Sequence, residues 1–415
     1  MDNLELSTKN NFVENKYVSY SQNKRQGIAL CLSGGGFRAA IFHLGALRRL
    51  NELGILSQVN TITSVSGGSI ISAYLAEKLQ PWPTSGSVLG DWDTKIALPF
   101  KDFVRKDICT IPFLKGLLPW NWFRPRVQVE ALTNCYFDRL TKLNMSELPQ
   151  NPNFIFCATD LVFGVNWEMS RDKIGDYQAG YISPTPSDFK VATAIAASSC
   201  FPPLFRPMPI PVDSDKLTGG GYTSSNRNML VSKLRLTDGG VYDNMGFEPV
   251  CKSHKVVLVS DGGAPFEFKE SITPIKQIQR YLEVVGKQSV SLRKRWLMLS
   301  YTKKIMEGTY WGISSSPYSY SLKFIGYPKD IAREYISRIR TDMNSFNDAE
   351  IAILENHGYL LAEAAIKEYM LHLIRISAPL LIPHSQWMDK DKVKSALKES
   401  HKRVTLKRFL DLIRP

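Results

Sequence analysis

The chain has 415 residues, and its 52 Lys and Arg outnumber its 39 Asp and Glu, for a formal net charge of +13. Hydrophobic residues make up 44% and charged residues 22%, a globular balance that excludes disorder, collagen and coiled coil for the bulk of the chain. The length allows two to three domains of roughly 150 residues, or one large one. The charge favours an anionic partner, nucleic acid or acidic membrane.

Residues 1–25 are polar, lack a signal-peptide core and read as an N-terminal arm. Ile28 to Leu32 is a short apolar run that ends in Ser33-Gly34-Gly35-Gly36, the pattern of a buried strand entering a glycine turn. Phe37, Ala40, Ile41, Leu44, Leu47 and Leu50 follow at helical spacing, and Gly54 stands at the place of a C-cap glycine. A second β-branched run, Val59 to Thr63, leads into Ser64-Val65-Ser66-Gly67-Gly68 and then a mostly apolar helix from Ser69 to Leu79. This alternation predicts an α/β fold around a mostly parallel sheet.

From 81 to 125 a Pro- and Trp-rich segment interrupts the pattern. Two more buried strands are expected, at Phe154 to Ala158 and Val256 to Val259, with a surface loop from Asp213 to Asn228. Beyond Ile275 the chain becomes helix-rich and basic. The expected organisation is the arm 1–25, a catalytic domain 26–275 with 81–125 as a lid or interfacial insertion, and a helix-rich basic region 276–415 packed on it. No stretch approaches about 18 consecutive apolar residues, so no transmembrane helix is expected. Six scattered cysteines without CxxC spacing argue against a disulfide framework or zinc site and fit a reducing, cytoplasmic compartment.

Three short elements carry chemistry. Ser66, between a β-branched run and a glycine-led helix, has the form of a nucleophile elbow, in which small neighbours permit the strained turn that lifts the hydroxyl off the sheet. An ordinary Ser/Gly turn is the plainer alternative. Gly34, Gly35 and Gly36 meet neither phosphate-binding glycine pattern; their successive amides suit an oxyanion site, and Arg38 either reinforces that field or pairs with a carboxylate. Asp238-Gly239-Gly240 places a carboxylate in a tight loop, where a raised proton affinity lets it act as the base that serine needs. Asp261-Gly262-Gly263 competes for that role. None of His254, His357, His372, His384 and His401 has a glycine-flanked loop context, and His43 reads as a packing or supporting residue inside the first helix.

Taken in order, SGGGFR, SVSGG and DGGVYDNMG resemble the oxyanion motif, nucleophile elbow and catalytic-aspartate block of the bacterial patatin-like phospholipases. FHLGALRRLNELGIL, ATDLVFG, AIAASSCFPPLF, SDGGAP and LENHGY extend the resemblance over residues 26–360. Ser33 and Ser64 stand where Asp and Gly are common in that family. The resemblance implies a three-layer α/β/α sandwich and a lipid acyl hydrolase, of phospholipase A or lysophospholipase type. Its nucleophile would be Ser66, its base Asp238, and its oxyanion donors Gly34, Gly35 and Gly36 with Arg38 beside them. It implies no metal and no organic cofactor, and a phospholipid bilayer or micelle as substrate.

Two alternatives stay open: a catalytically silent lipid-binding relative, and a regulated membrane-degrading effector that a partner or nucleotide signal switches on. Nucleic acid is not the expected partner, because no helix-turn-helix, zinc finger or aromatic RNA-binding signature is present. For membrane contact the segment from Trp92 to Arg126 offers Trp120, Trp122 and Phe123 among Lys and Arg; such residues either form core or meet a lipid interface at the membrane periphery. The basic C-terminus, from Asp389 on, packs on the body or binds anionic lipid.

Overall fold

The computed structural model describes residues 25–266 and 274–402, apart from 122, 125 and 211. Trp122 and the last thirteen residues therefore lie outside the described residues. Ten strands are described: β1 Ile28–Leu32, β2 Thr61–Val65, β3 Asn153–Asp160, β4 Val165–Met169, β5 Ile174–Asp176, β6 Gly180–Ile182, β7 Met208–Pro209, β8 Arg235–Asp238, β9 Val256–Asp261 and β10 Glu307–Gly312. The α-helices among the described residues are α1 Gly36–Glu52, α2 Gly67–Lys78, α3 Leu98–Val104, α4 Thr110–Leu117, α5 Val127–Arg139, α6 Val191–Ser199, α7 Arg227–Val231, α8 Gly240–Asp243, α9 Pro274–Thr302, α10 Lys329–Glu334, α11 Asp348–Tyr369 and α12 Lys390–Leu397.

One mixed sheet organises the chain. Its central strands, in the order β10-β9-β1-β2-β3, are parallel, and β4, β5 and β6 extend it antiparallel beyond β3. The second strand begins at Thr61 rather than Val59, because register with β1 starts at Ala29 opposite Thr61 and Val59 closes a 3-10 turn. Parallel strands are covered on both faces, and their apolar runs are accordingly continuous. One face carries the large core, where α1 and α2 bury nearly every residue. The other carries a thinner layer, in which Met245, Phe247 and Val250 join Leu297 of α9 against Ala29, Cys31, Val257 and Val259.

The region after 276 is built into this core. Helix α11 is buried from Glu350 to Ile366, and it meets α1 so closely that a Cβ on Gly45 would overlap the Glu355 carbonyl, and one on Gly358 the Phe42 carbonyl. Glu355 is carried inside by this contact and is met by Lys101 at 2.6 Å and His384 at 2.9 Å. Burial opposes its charge, but the His384 and Lys101 hydrogen bonds outweigh it and hold the carboxyl below its usual range. Gly54 is left-handed, with φ +66°, as a helix-ending glycine should be.

The segment 81–125 is core only in part. Trp92, Phe100 and Phe103 are core, whereas Trp120 is 67% exposed and Phe123 92%. All six cysteines are free thiols. Among the described residues no helix is long and apolar enough to cross a membrane.

Candidate active site

The three singled-out elements meet at one edge of the sheet. β2 and β8 border the same side of β3 from opposite ends: Val65 lies opposite Cys157, and Asp238 opposite Ala158. Since β2 runs parallel and β8 antiparallel to β3, their C-termini converge head to head, and Ser66 meets Asp238. The Ser66 side chain comes close enough to the Asp238 carboxyl to lower its proton affinity. An antiparallel strand reached through a long connection was outside what periodicity could reveal.

Ser66 has φ 51° and ψ −115°, a conformation that L-residues avoid, followed directly by the helix α2. This is the strained strand-to-helix turn of a nucleophile elbow. Gly67 and Gly68 are required there, because a Cβ on either would overlap the carbonyls of Gly36 and Leu32 respectively. The serine backbone is held by Ser198, whose hydroxyl accepts from the Ser66 amide at 2.9 Å and donates to the Cys157 carbonyl at 2.7 Å.

Asp238 is buried, and burial pushes its pKa up to about 6. The Gly240 amide, at 2.7 Å, and the Ser66 hydroxyl oppose that rise. Thr159 donates to the Asp238 carbonyl at 2.9 Å and accepts from the Tyr242 amide at 3.2 Å, fixing the turn from both sides.

The glycine loop lies against the elbow. Among the described residues no acceptor is found for the amides of Gly35, Gly36 and Gly67. The Gly34 amide, by contrast, donates to the Asn244 carbonyl at 3.0 Å, so the expectation of a Gly34 oxyanion donor is corrected: its N–H is already engaged. Gly36 starts α1 with φ +58°, and a Cβ there would overlap the Thr341 carbonyl.

Arg38 is also corrected. Its guanidinium is taken up by backbone carbonyls. Its buried guanidinium donates to the carbonyls of Ser337 at 2.7 Å, Ile339 at 2.8 Å and Gly262 at 2.8 Å. It sits at the third position of α1, and the Gly262 carbonyl it holds lies against Gly35 of the loop. Asp261 is likewise diverted, accepting from the Tyr310 hydroxyl at 2.6 Å and the Gly263 amide at 2.9 Å.

The histidines serve elsewhere. His43 bonds the Ser33 carbonyl at 2.9 Å and the Ser260 hydroxyl at 2.7 Å, and burial lowers its pKa to about 4. It is a neutral brace behind the glycine loop, the supporting role expected from its place in the helix. Buried His357 bonds the Ile313 carbonyl, and half-buried His384 and His254 bond Glu355 and Thr61. Ser198, Thr159 and Asn244 were not singled out in the sequence. The first two lie within AIAASSCFPPLF and ATDLVFG, and a hydroxyl amid small residues at a helix end was the only local signal.

The Patatin family profile, described as patatin-like phospholipase, matches residues 30–250. The chain belongs to this family. That span holds Ser66, Asp238 and the glycine loop. Among curated proteins no sequence match is found. Among solved structures, human GIVD cytosolic phospholipase A2 is similar at 12% identity and TM-score 0.50, over 85% of this chain and 60% of that one. The chain thus spans about 60% of the length of that phospholipase. VipD from Legionella pneumophila is similar at 13% identity and TM-score 0.32, over 83% of this patatin-like chain and 67% of VipD. At such identities the first likeness bears on the fold alone.

Proposed function

We propose that this patatin-like protein is a lipid acyl hydrolase that cleaves carboxylic esters of phospholipids through Ser66 and Asp238. The reading rests on one observation: a strained, buried serine brought beside a buried carboxylate of raised pKa, next to glycine amides for which no acceptor is found among the described residues. Asp238 takes the Ser66 proton as the hydroxyl oxygen attacks the ester carbonyl. The amides of Gly35, Gly36 and Gly67 receive the developing oxyanion, an effect of ~3 kcal/mol for a well-placed donor. Collapse expels the lyso-lipid alcohol, which takes the proton from Asp238. Water then attacks the acyl-serine with Asp238 again as base, releasing the fatty acid. A pKa of about 6 leaves Asp238 ionised at neutral pH yet basic enough to accept a proton.

The substrate is met at a bilayer or micelle, and Trp120 and Phe123 are the proposed contacts. The loop between them is tied to the 201–206 turn by Arg206, which donates to the Asn121 carbonyl at 3.4 Å. That turn adjoins the site, since the Asp238 amide donates to the Cys200 carbonyl. Trp122 belongs to the same proposal and lies outside the described residues.

The test is fatty-acid release from mixed phospholipid liposomes, with Ser66→Ala and Asp238→Asn beside the parent, and labelling of Ser66 by a serine-directed phosphonate. Loss of release in both variants is expected. A Ser66→Ala protein that retains parental turnover would sink the scheme. A parent that neither releases fatty acid nor labels is a silent relative. A second reading, an effector held off until a partner or signal opens it, draws on the burial of Ser66 and Asp238. Full activity of the purified chain alone would exclude it.

A further inference from the structure

Helix α9 is 29 residues long, yet only part of it is needed to cover the sheet. Near its C-terminus the Tyr301 hydroxyl donates to the Val257 carbonyl at 2.7 Å, at the start of β9. Twelve residues earlier the Ser289 hydroxyl donates to the Tyr242 carbonyl at 3.3 Å, and the Arg293 guanidinium lies 4.5 Å from the Tyr242 ring. Tyr242 belongs to α8, the turn that follows Asp238. Followed backward, the helix therefore runs from the start of the strands to their catalytic edge. Residues 274–288 continue it for about 22 Å beyond that level.

Its outer face carries Tyr281, Val285, Leu292 and Leu299, each more than half exposed, with Val284 beside them. They recur at intervals of four, seven and seven residues, so they line one stripe of the helix. A partner helix would need the intervening seam positions to be apolar as well, and these are Gln288 and Arg295, both exposed. A lipid interface makes no such demand: it takes apolar side chains at one level with cations around them. From 274 to 295 the sequence has six Lys or Arg against one acid, Glu283. That acid is met by Arg280 at 3.0 Å, Arg293 is turned to Asp243 and Glu248 of the body, and Arg295 is exposed.

We infer that α9 is a docking element for an anionic lipid surface, with Tyr281, Val284 and Val285 as its anchor at the rim of the Ser66 site. This rests on the lipid-hydrolase reading above and names the surface on which that site would work. Seated there, the protruding half of α9 brings the bilayer to the edge where Ser66 lies. Anionic headgroups are favoured over neutral ones because the helix adds a concentrated positive field to the apolar contact.

The test is co-sedimentation of the full chain, carrying Ser66→Ala so that nothing is hydrolysed, with vesicles of phosphatidylcholine alone or mixed with phosphatidylglycerol. The expected result is binding to the anionic vesicles, weakened by salt, and at least tenfold weaker for Val284→Asp/Val285→Asp with an unchanged thermal midpoint. Val284→Ser/Val285→Ser, which introduces no charge, should weaken binding in the same direction and serves if the aspartate pair does not fold. Three results overturn the inference: no binding of the parent to anionic vesicles, equal binding by the serine pair, or a solution dimer that the substitutions disperse. Because the chain under test lacks its nucleophile, failure to bind removes the docking surface alone. Failure of phosphonate labelling removes the hydrolase reading alone.

Discussion

The amide of Ser66 donates to the hydroxyl of Ser198 at 2.9 Å. The same hydroxyl reaches the Cys157 carbonyl, and the Ser198 carbonyl accepts from the Gly239 amide at 3.3 Å. One residue at the end of α6 therefore ties the ends of β2 and β8 to β3, the strand that both border. A backbone like that of Ser66 costs about 1–3 kcal/mol and persists only where its surroundings enforce it. Ser198 is a positioning residue in this account. Ser198→Ala should lower kcat about 10- to 100-fold with KM within about twofold, and Ser198→Cys should recover part of the loss. Unchanged kcat in steady-state assays of Ser198→Ala would remove it from the site.

The elevated pKa of Asp238 makes two pH predictions. As a base it must be ionised, so kcat/KM should rise with pH and reach half its plateau near the pKa of about 6. For stability the sign is opposite. The folded pKa lies above the usual carboxylate value, so the stabilising contribution is full below pH 4 and is lost as pH rises through about 6. Asp238→Asn should therefore gain stability over the parent at pH 8, on the order of 2–3 kcal/mol, and little at pH 4. Urea melts at the two pH values read this difference directly.

Arg38 satisfies three carbonyls from inside the protein. Arg38→Ala would orphan them together and should cost about 3–5 kcal/mol in urea unfolding. Arg38→Lys keeps the charge but cannot fork to three acceptors, and should lose a substantial part of that. A residue that acted only on the oxyanion would leave stability untouched.

Trp120 and Phe123 predict the reverse pattern. Being exposed, they should be replaceable by Ser with stability changes within about 0.5 kcal/mol. The double variant should keep its activity on a soluble short-chain ester and lose several-fold on liposomes. Equal loss on both substrates would count against a lipid contact.

Much of this arrangement was readable in advance, because local chemistry writes itself into short strings. The glycine turn after Leu32, the Ser66 elbow and the Asp238 turn each need small residues at fixed offsets, and those residues stand in the sequence. What Arg38 does was not readable, since its acceptors Ser337 and Ile339 come about 300 residues later and are plain carbonyls that any residue supplies. The engaged amide of Gly34 was hidden for the same reason. In the segment 81–125, Trp92 and Trp120 share a composition but not a fate: one meets the core and the other solvent. Only the path of the chain separates them. Ser198 carried no signal beyond its place in a run of small residues, where any of several hydroxyls could have been the brace.

Two of the three carbonyls that hold Arg38, and the one that crowds Gly36, belong to residues 337–341, far along the chain from Ser66. During synthesis, Ser66 and Asp238 leave the ribosome long before that strut does. A nascent chain of some 275 residues would carry both reacting groups but not the wall behind the loop that faces them. A chain ending there is expected to release no fatty acid, although it carries both reacting groups.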